Sequence, residues 1–178
     1  MAEFSGCNVE SLSKDQKKRA FWQLAMEQRR TCLWVLTSLR TSAADEFLFR
    51  SLGRGWSLFF NHGPRQVNGA MHNNGVAIFA RPGGALEVPD RPVTCDAQGR
   101  ALCLDVLVHG RPTTVVALYA PAHSAPARRA FFEETTELIR GHLQAHEAPP
   151  RLMVCGDFNS VEDGYRDRPG RVGPAEAG

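Results

Sequence analysis

Apolar residues in this chain come in short runs whose spacing switches between strand-like and helical. Residues 6–12 form a weak pattern for a first strand. Ser13-Lys14-Asp15-Gln16 then has the form of a capping box, with Ser13 accepting from a free backbone N–H and Gln16 reaching back. Phe21, Leu24 and Ala25 recur at helical spacing, with Gln28 in phase, so a helix is predicted over 14–30. Cys32 to Leu36 is an apolar run that predicts a buried strand. A second helix is predicted over 43–52, with Ala43, Phe47 and Leu48 inward.

The middle of the chain reads as strands. Trp56 to Phe60 is one, ended by the loop Asn61-His62-Gly63-Pro64. Asn73-Asn74-Gly75 is a turn signal leading into Val76–Ala80, which Arg81-Pro82-Gly83-Gly84 stops. Leu102, Leu104, Val106 and Val108 alternate with Cys103, Asp105 and Leu107, the pattern of a half-buried strand. Thr113 to Tyr119 is rich in β-branched residues and predicts a strand buried on both faces. Ser124 is a candidate N-cap with Pro126 in the first turn, opening a helix with Phe131, Thr135, Leu138 and Ile139 on one side. Leu152 to Cys155 follows as a last central strand. Antiparallel strands in the middle with helix–strand alternation at both ends indicate an α/β or α+β domain with mixed sheets. From Gly164 the composition turns to Arg, Pro, Gly, Asp and Ala, so a domain over 1–163 is expected, with an irregular tail over 164–178.

Composition narrows this only a little. A chain of 178 residues with 43% hydrophobic content has enough to bury a core, which argues against wholesale disorder. The formal charge of +2 is nearly balanced. Basic residues cluster at Lys17-Lys18-Arg19, Arg29-Arg30, Arg128-Arg129 and at Arg166, Arg168 and Arg171, as solvated faces or as contacts to nucleic-acid phosphates. Five cysteines without a C-x-x-C pair fit a reducing compartment rather than a disulfide framework or zinc knuckle. The first six residues lack the segments of a signal peptide, and no apolar run approaches membrane-spanning length. The chain reads as soluble and intracellular, with no membrane partner.

Chemistry concentrates in Leu152-Met153-Val154-Cys155-Gly156-Asp157-Phe158-Asn159. An acid and an amide emerge where a buried strand leaves its sheet, the place where α/β sites gather. Asp157 could order and deprotonate a water, and Asn159 could donate to a phosphoryl oxygen. The same residues also suit an ordinary turn. Val115 to Pro121 closes a second buried strand with Tyr119, whose phenol can donate to an oxyanion on phosphorus or simply sit at the rim of the core.

Together these features resemble the exonuclease–endonuclease–phosphatase superfamily, and within it the endonuclease domain of LINE-type retrotransposons. The order carries the resemblance. Asn8-Val9 precedes a basic helix like the family's opening Asn, and Asn74-Gly75-Val76-Ala77-Ile78-Phe79 is similar to its central G-V-A-I strand. Leu118-Tyr119-Ala120-Pro121 resembles the Tyr-x-Pro element, Arg129-Ala130-Phe131-Phe132 the following helix, and Gly156-Asp157-Phe158-Asn159 is the family's G-D-F-N. Asp163 with Asp167-Arg168 resembles a spacing frequent in the retrotransposon branch. The resemblance implies a two-sheet sandwich flanked by helices, here incomplete, and a magnesium-assisted water attacking a phosphodiester. By carry-over Asp157 activates the water, Asn159 holds phosphate or metal, Tyr119 steadies the pentavalent oxyanion and Asn8 sits near the metal. DNA is the implied partner, with Arg166 and Arg168 tracking its backbone, and a DNA substrate implies nuclear residence. Superfamily membership alone does not choose among DNA, phosphoinositide and sphingolipid.

Three departures accompany this match. The metal-binding Glu expected after Val35-Leu36 is replaced by Ser38, and a neutral hydroxyl is a poor magnesium ligand. Glu46, the nearest downstream acid, falls on a predicted helix and is expected to face solvent. The Asn that follows Tyr-x-Pro is Ala122, with His123 next as a surface residue. None of the six histidines stands in the family's closing Ser-Asp-His element. A truncated or degenerate copy is therefore expected, with an open sheet edge and uncovered apolar surface. The rival reading is a non-catalytic remnant of a retrotransposon that binds nucleic acid or another partner, and a third is a chain that does not fold stably.

Overall fold

In the computed structural model, residues 3–64, 74–122 and 124–159 are described. The first half alternates strands and helices: β1 (Glu3–Asn8), α1 (Asp15–Glu27), β2 (Thr31–Thr37), α2 (Glu46–Leu52), β3 (Ser57–Asn61) and β4 (Val76–Ala80). The second half holds β5 (Leu86–Glu87), β6 (Thr94–Cys95), β7 (Ala101–Val108), β8 (Arg111–Tyr119), α3 (Ala125–Gln144) and β9 (Arg151–Asp157). Each half builds a mixed sheet, as expected. The first has the order β1-β2-β4-β3, with β1 and β2 parallel. The second runs β5-β7-β8-β9, with β6 also on β7 and with β8 and β9 parallel. A two-residue turn at His109 and Gly110, both at positive φ (51° and 72°), joins β7 to β8 as hairpins with right-handed twist require.

The sheets pack face to face in a four-layered α/β/β/α arrangement. Leu33, Val35, Val76, Ile78 and Ala80 meet Leu102, Leu104, Val106, Val115 and Ala117 between them. The period-2 alternation of strands sends the remaining residues outward. Trp34, Leu36, Ala77 and Phe79 lie under α1 and α2, against Phe21, Trp22, Ala25 and Phe49. Ala101, Cys103, Val116 and Leu118 lie under α3, against Phe131. The α3 layer overturns the half-buried reading of β7, because it covers the face that was expected to meet water.

Several local expectations are corrected. β1 begins and ends earlier than 6–12, because Glu10 and Ser11 adopt positive φ (46° and 91°) and break the strand. The Ser13 capping box does not form: Lys14 is the N-cap of α1, and the Ser13 N–H goes to Ser11 Oγ at 3.3 Å. On α1, Trp22 joins Phe21 and Ala25 in the core, while Leu24 is exposed. The second helix opens with a 3₁₀ turn (Ala43–Asp45), whose tighter winding shifts the helical phase. Phe49 therefore points inward, and Phe47 is 82% exposed. Glu46 is half-buried rather than solvent-facing, held by Arg50 at 2.7 Å and His62 at 3.0 Å. β9 is not central among the described residues. Among them it pairs only with β8, and Leu152, Val154 and Phe158 are exposed. Ser124 does cap α3, its Oγ accepting from the Ala127 N–H at 3.2 Å. The 163/164 boundary lies outside the described residues. No helix among them is long and apolar enough to cross a membrane.

One buried charge ties α1 to the 3₁₀ turn. Lys18 is 2% exposed, and its Nζ donates to Asp45 Oδ1 at 2.6 Å and Asp15 Oδ1 at 3.0 Å. Burial alone would raise the Asp45 carboxyl, but hydrogen bonds from Lys18 and Ser42 hold it below its ordinary value. A carboxyl depressed in the fold adds stability that is present above its unfolded pKa, about 3.9, and lost as pH falls through the folded value. Denaturation midpoints are expected to hold down to about pH 5 and drop below about pH 4. Asp45→Asn is expected to lessen that acid dependence. An unaltered pH slope in the variant counts against the assignment.

Candidate active site at the carboxyl ends of the strands

The parallel pairs of the two sheets end side by side. In the first sheet Asn8 is in register with Thr37, and in the second Tyr119 with Asp157. Asn8 Nδ2 donates across the gap to Asp157 Oδ2 at 2.7 Å, joining residues 149 positions apart. The orientation of the Asn8 amide follows from its other end, where Oδ1 accepts the Glu10 N–H at 3.2 Å. The second carboxylate oxygen of Asp157 accepts the Asn159 N–H at 3.0 Å, a local turn with Asn159 at φ 46°. The turn anticipated from G-D-F-N is therefore present, and the candidate site residue Asp157 is part of it.

Backbone contacts lock this edge. The Ala120 N–H donates to the Asp157 carbonyl at 2.8 Å, and Asn159 Nδ2 to the Ala120 carbonyl at 2.7 Å. One amide hydrogen of Asn159 is thus spent on the main chain, leaving the other for a ligand. Tyr119 is braced by Arg100, whose guanidinium lies 5.2 Å from the ring centroid and whose Nη1 donates to the Tyr119 carbonyl at 2.9 Å. Burial pushes the Arg100 pKa down, and a guanidinium still stays charged. Burial also raises the Cys155 thiol, the small hydrophobe expected at that point of β9. Gly156 has φ +149°, and a Cβ there would sit 1.9 Å from the Leu118 carbonyl oxygen. Only glycine lets β9 close onto β8 immediately before Asp157.

The donor set fits magnesium poorly. Ser38 is buried with φ 60°, and its carbonyl accepts the Ser11 N–H at 2.7 Å. It brings no charge. Glu46 is engaged by Arg50 and His62. Among the described side chains bonded to Asn8 or Asn159, Asp157 supplies the only carboxylate, and both its oxygens already accept N–H bonds. Magnesium prefers anionic oxygen in near-ideal octahedral geometry, which this set does not preform. Thr37 Oγ1 is buried without a hydrogen-bond partner among the described residues, at the strand end next to Asn8. Arg100 and Thr37 escaped the sequence reading, since a pre-strand arginine and a strand threonine carry no motif. Asp163, Arg166, Arg168 and His123 lie outside the described residues.

A two-sheet sandwich between helices, with its polar residues at the shared carboxyl ends, is the exonuclease–endonuclease–phosphatase fold, and the chain has that fold. Solved structures agree at low sequence identity. The AP endonuclease LMAP from Leishmania major matches with TM-score 0.59 and 17% identity, over 91% of this chain and 56% of that one. TDP2 from Caenorhabditis elegans matches with TM-score 0.57 and 13% identity, over 87% and 46%. The endonuclease domain of TRAS1, a telomere-specific non-LTR retrotransposon, matches with TM-score 0.54 and 16% identity, over 88% and 60%. The chain thus spans about half the length of such structures. No protein-family description and no curated protein matches the sequence.

Proposed function

We propose that this chain carries a phosphodiester-hydrolase site directed at DNA, weakened by the loss of its acidic metal ligand at Ser38. The observation that supports it is the 2.7 Å bond between Asn8 and Asp157, which brings both ends of the motif order into one network. Asp157 takes the proton of a water whose oxygen attacks phosphorus, and the P–O bond to the leaving group breaks. Tyr119, braced by Arg100, donates to the non-bridging oxygen on which charge develops. Asn159 holds a phosphate oxygen with its remaining amide hydrogen, and Asn8 holds the Asp157 carboxylate in position. A divalent ion in the family supplies charge neutralisation at that phosphate. With Ser38 in place of the acid, these residues act with little such support, so turnover is low.

The experiment is plasmid nicking with magnesium by the chain as it stands, by Ser38→Glu and by Ser38→Glu with Asp157→Asn. Ser38→Glu is expected to raise magnesium-dependent nicking by about 10²-fold or more, the scale of one well-placed electrostatic group. The added Asp157→Asn is expected to abolish the gain. If Ser38→Glu folds and nicks no faster, the hydrolase reading fails.

A second reading, a non-catalytic DNA-binding remnant of a retrotransposon endonuclease, is favoured by Ser38 and by the N–H bonds that both Asp157 oxygens already accept. Under either reading Arg166 and Arg168 contact backbone phosphates. Replacing both with alanine is expected to reduce the salt dependence of DNA binding by about two units of slope in log K against log salt, at roughly 0.9 per contact. Under the second reading, binding of this kind persists while Ser38→Glu gains no nicking.

A further inference from the structure

A second polar cluster lies under α3, on the outer face of the other sheet. Asp105 of β7 faces His142, in the last turn of α3, and His146, just beyond its end. Asp105 Oδ1 is 3.1 Å from His142 Nε2, and Oδ2 is 3.1 Å from His146 Nε2. One ligand atom from each residue can be chosen so that all three lie within 4.8 Å of one another. The side chains are only 11%, 6% and 9% exposed, in the order Asp105, His142, His146. Asp105 is in register with Thr114. Thr114 is five positions from Tyr119, about 17 Å along β8 at roughly 3.3 Å per residue. The cluster is therefore separate from the Asp157 site.

We infer that Asp105, His142 and His146 form a binding site for a divalent transition ion of the zinc type, with a fourth position open to an exchangeable ligand. Zinc takes imidazole nitrogen and carboxylate oxygen at about 2.0–2.2 Å, which places tetrahedral ligand atoms about 3.3 Å apart. Each imidazole Nε2 lies 3.1 Å from a different Asp105 oxygen, and one ligand atom from each residue can be chosen within 4.8 Å of the others, so an ion can enter with movement confined to these side chains. Each neutral imidazole then carries its proton on Nδ1 and coordinates through Nε2. Thr94 Oγ1, 2.7 Å from His142 Nδ1, is placed to accept that proton in a hydrogen bond, the second contact that orients metal-bound histidines. Thr114 Oγ1 donates to Asp105 Oδ1 at 2.7 Å and fixes the carboxylate.

The open side is a cleft of about 610 Å³ lined by Arg91, Glu137 and Gly141 among others, with room for a water or small anion on the ion. Arg91 is the opposing feature. Its half-exposed guanidinium lies 3.9 Å from Asp105 Oδ2 and 3.5 Å from His146 Nδ1, and it must swing outward as the ion enters. Magnesium is a poor occupant, since two of the three donors are nitrogen. The bound ion would pin the end of α3 to β7.

The test is titration of the full chain with zinc and cobalt at neutral pH, with magnesium as control. A single equivalent of cobalt is expected to give visible d–d absorption without thiolate charge transfer, and zinc is expected to displace it while magnesium is not. His142→Gln and His146→Gln are each expected to weaken zinc binding by about 100-fold or more. Arg91→Ala, a change at an exposed position, is expected to tighten it. Zinc is also expected to move the Nε2 resonances of both histidines in the nitrogen-15 spectrum of the unmodified chain, a measurement independent of how the variants fold. The inference is overturned if zinc leaves those resonances in place, if cobalt shows thiolate absorption, or if binding survives in a folded His146→Gln.

Discussion

Gly156→Ala is expected to destabilise the protein by about 3 kcal/mol or more, the scale of backbone strain and overpacking combined. The added methyl has nowhere to go. Its carbon would lie 1.9 Å from the Leu118 carbonyl oxygen and 2.8 Å from the Leu118 carbonyl carbon and nitrogen. All three are backbone atoms of the partner strand, so no rotamer change relieves the clash. The φ of +149° adds a conformation that an L side chain rarely adopts. Either β9 moves away from β8 or the register from Leu118–Gly156 to Tyr119–Asp157 is lost. Thermal melts are expected to fall by about 6–12 °C for a chain of this size. A variant with an unchanged melting temperature would show that β9 does not close on β8 as described.

Phe79→Ala is the second large loss, about 3–5 kcal/mol, the usual range for emptying a buried aromatic site. Phe79 is fully buried at the centre of the outer layer of the first sheet. It stacks on Trp22 at 5.4 Å and meets Phe21, Phe49 and Phe60 edge-on at 5.7, 5.6 and 5.2 Å. Those rings come from α1, α2 and β3, so one side chain couples three elements to β4. Phe79→Leu keeps most of the volume and is expected to cost less than about 1.5 kcal/mol beyond the lost ring contacts. Guanidinium unfolding of the two variants separates cavity from chemistry. Equal losses would mean that the rings are not interlocked.

Much of this architecture was legible because burial leaves a pattern. The run Val76–Ala80 and the β-branched stretch ending at Tyr119 are buried on both faces and show it as continuous apolarity. β7 misled because its outward residues, Cys103 and Asp105, look like a wet face. In fact Cys103 meets the α3 layer and Asp105 meets histidines. The phase of α2 was illegible for another reason, since a single 3₁₀ turn rotates every residue after it. At the candidate site, the motif residues Asp157, Asn159 and Tyr119 could be picked out one strand at a time. Their association with Asn8 was implied only by the family resemblance, because nothing local in either segment encodes a contact between separate sheets. The Asp105–His142–His146 cluster is hidden for the same reason: the histidines are spaced as on a helix, but their third partner is a strand residue.

The bond between Asn8 and Asp157 also sets a schedule. Of the described strands, β1 leaves a ribosome first and β9 last, with Asn8 and Asp157 149 residues apart. At roughly 5–20 residues per second, about 7–30 seconds of synthesis separate the two halves of the site. Throughout that interval the growing chain has its opening asparagine but no acid for it to hold. Under the proposed function, the pair can act on a phosphodiester only once synthesis has passed β9.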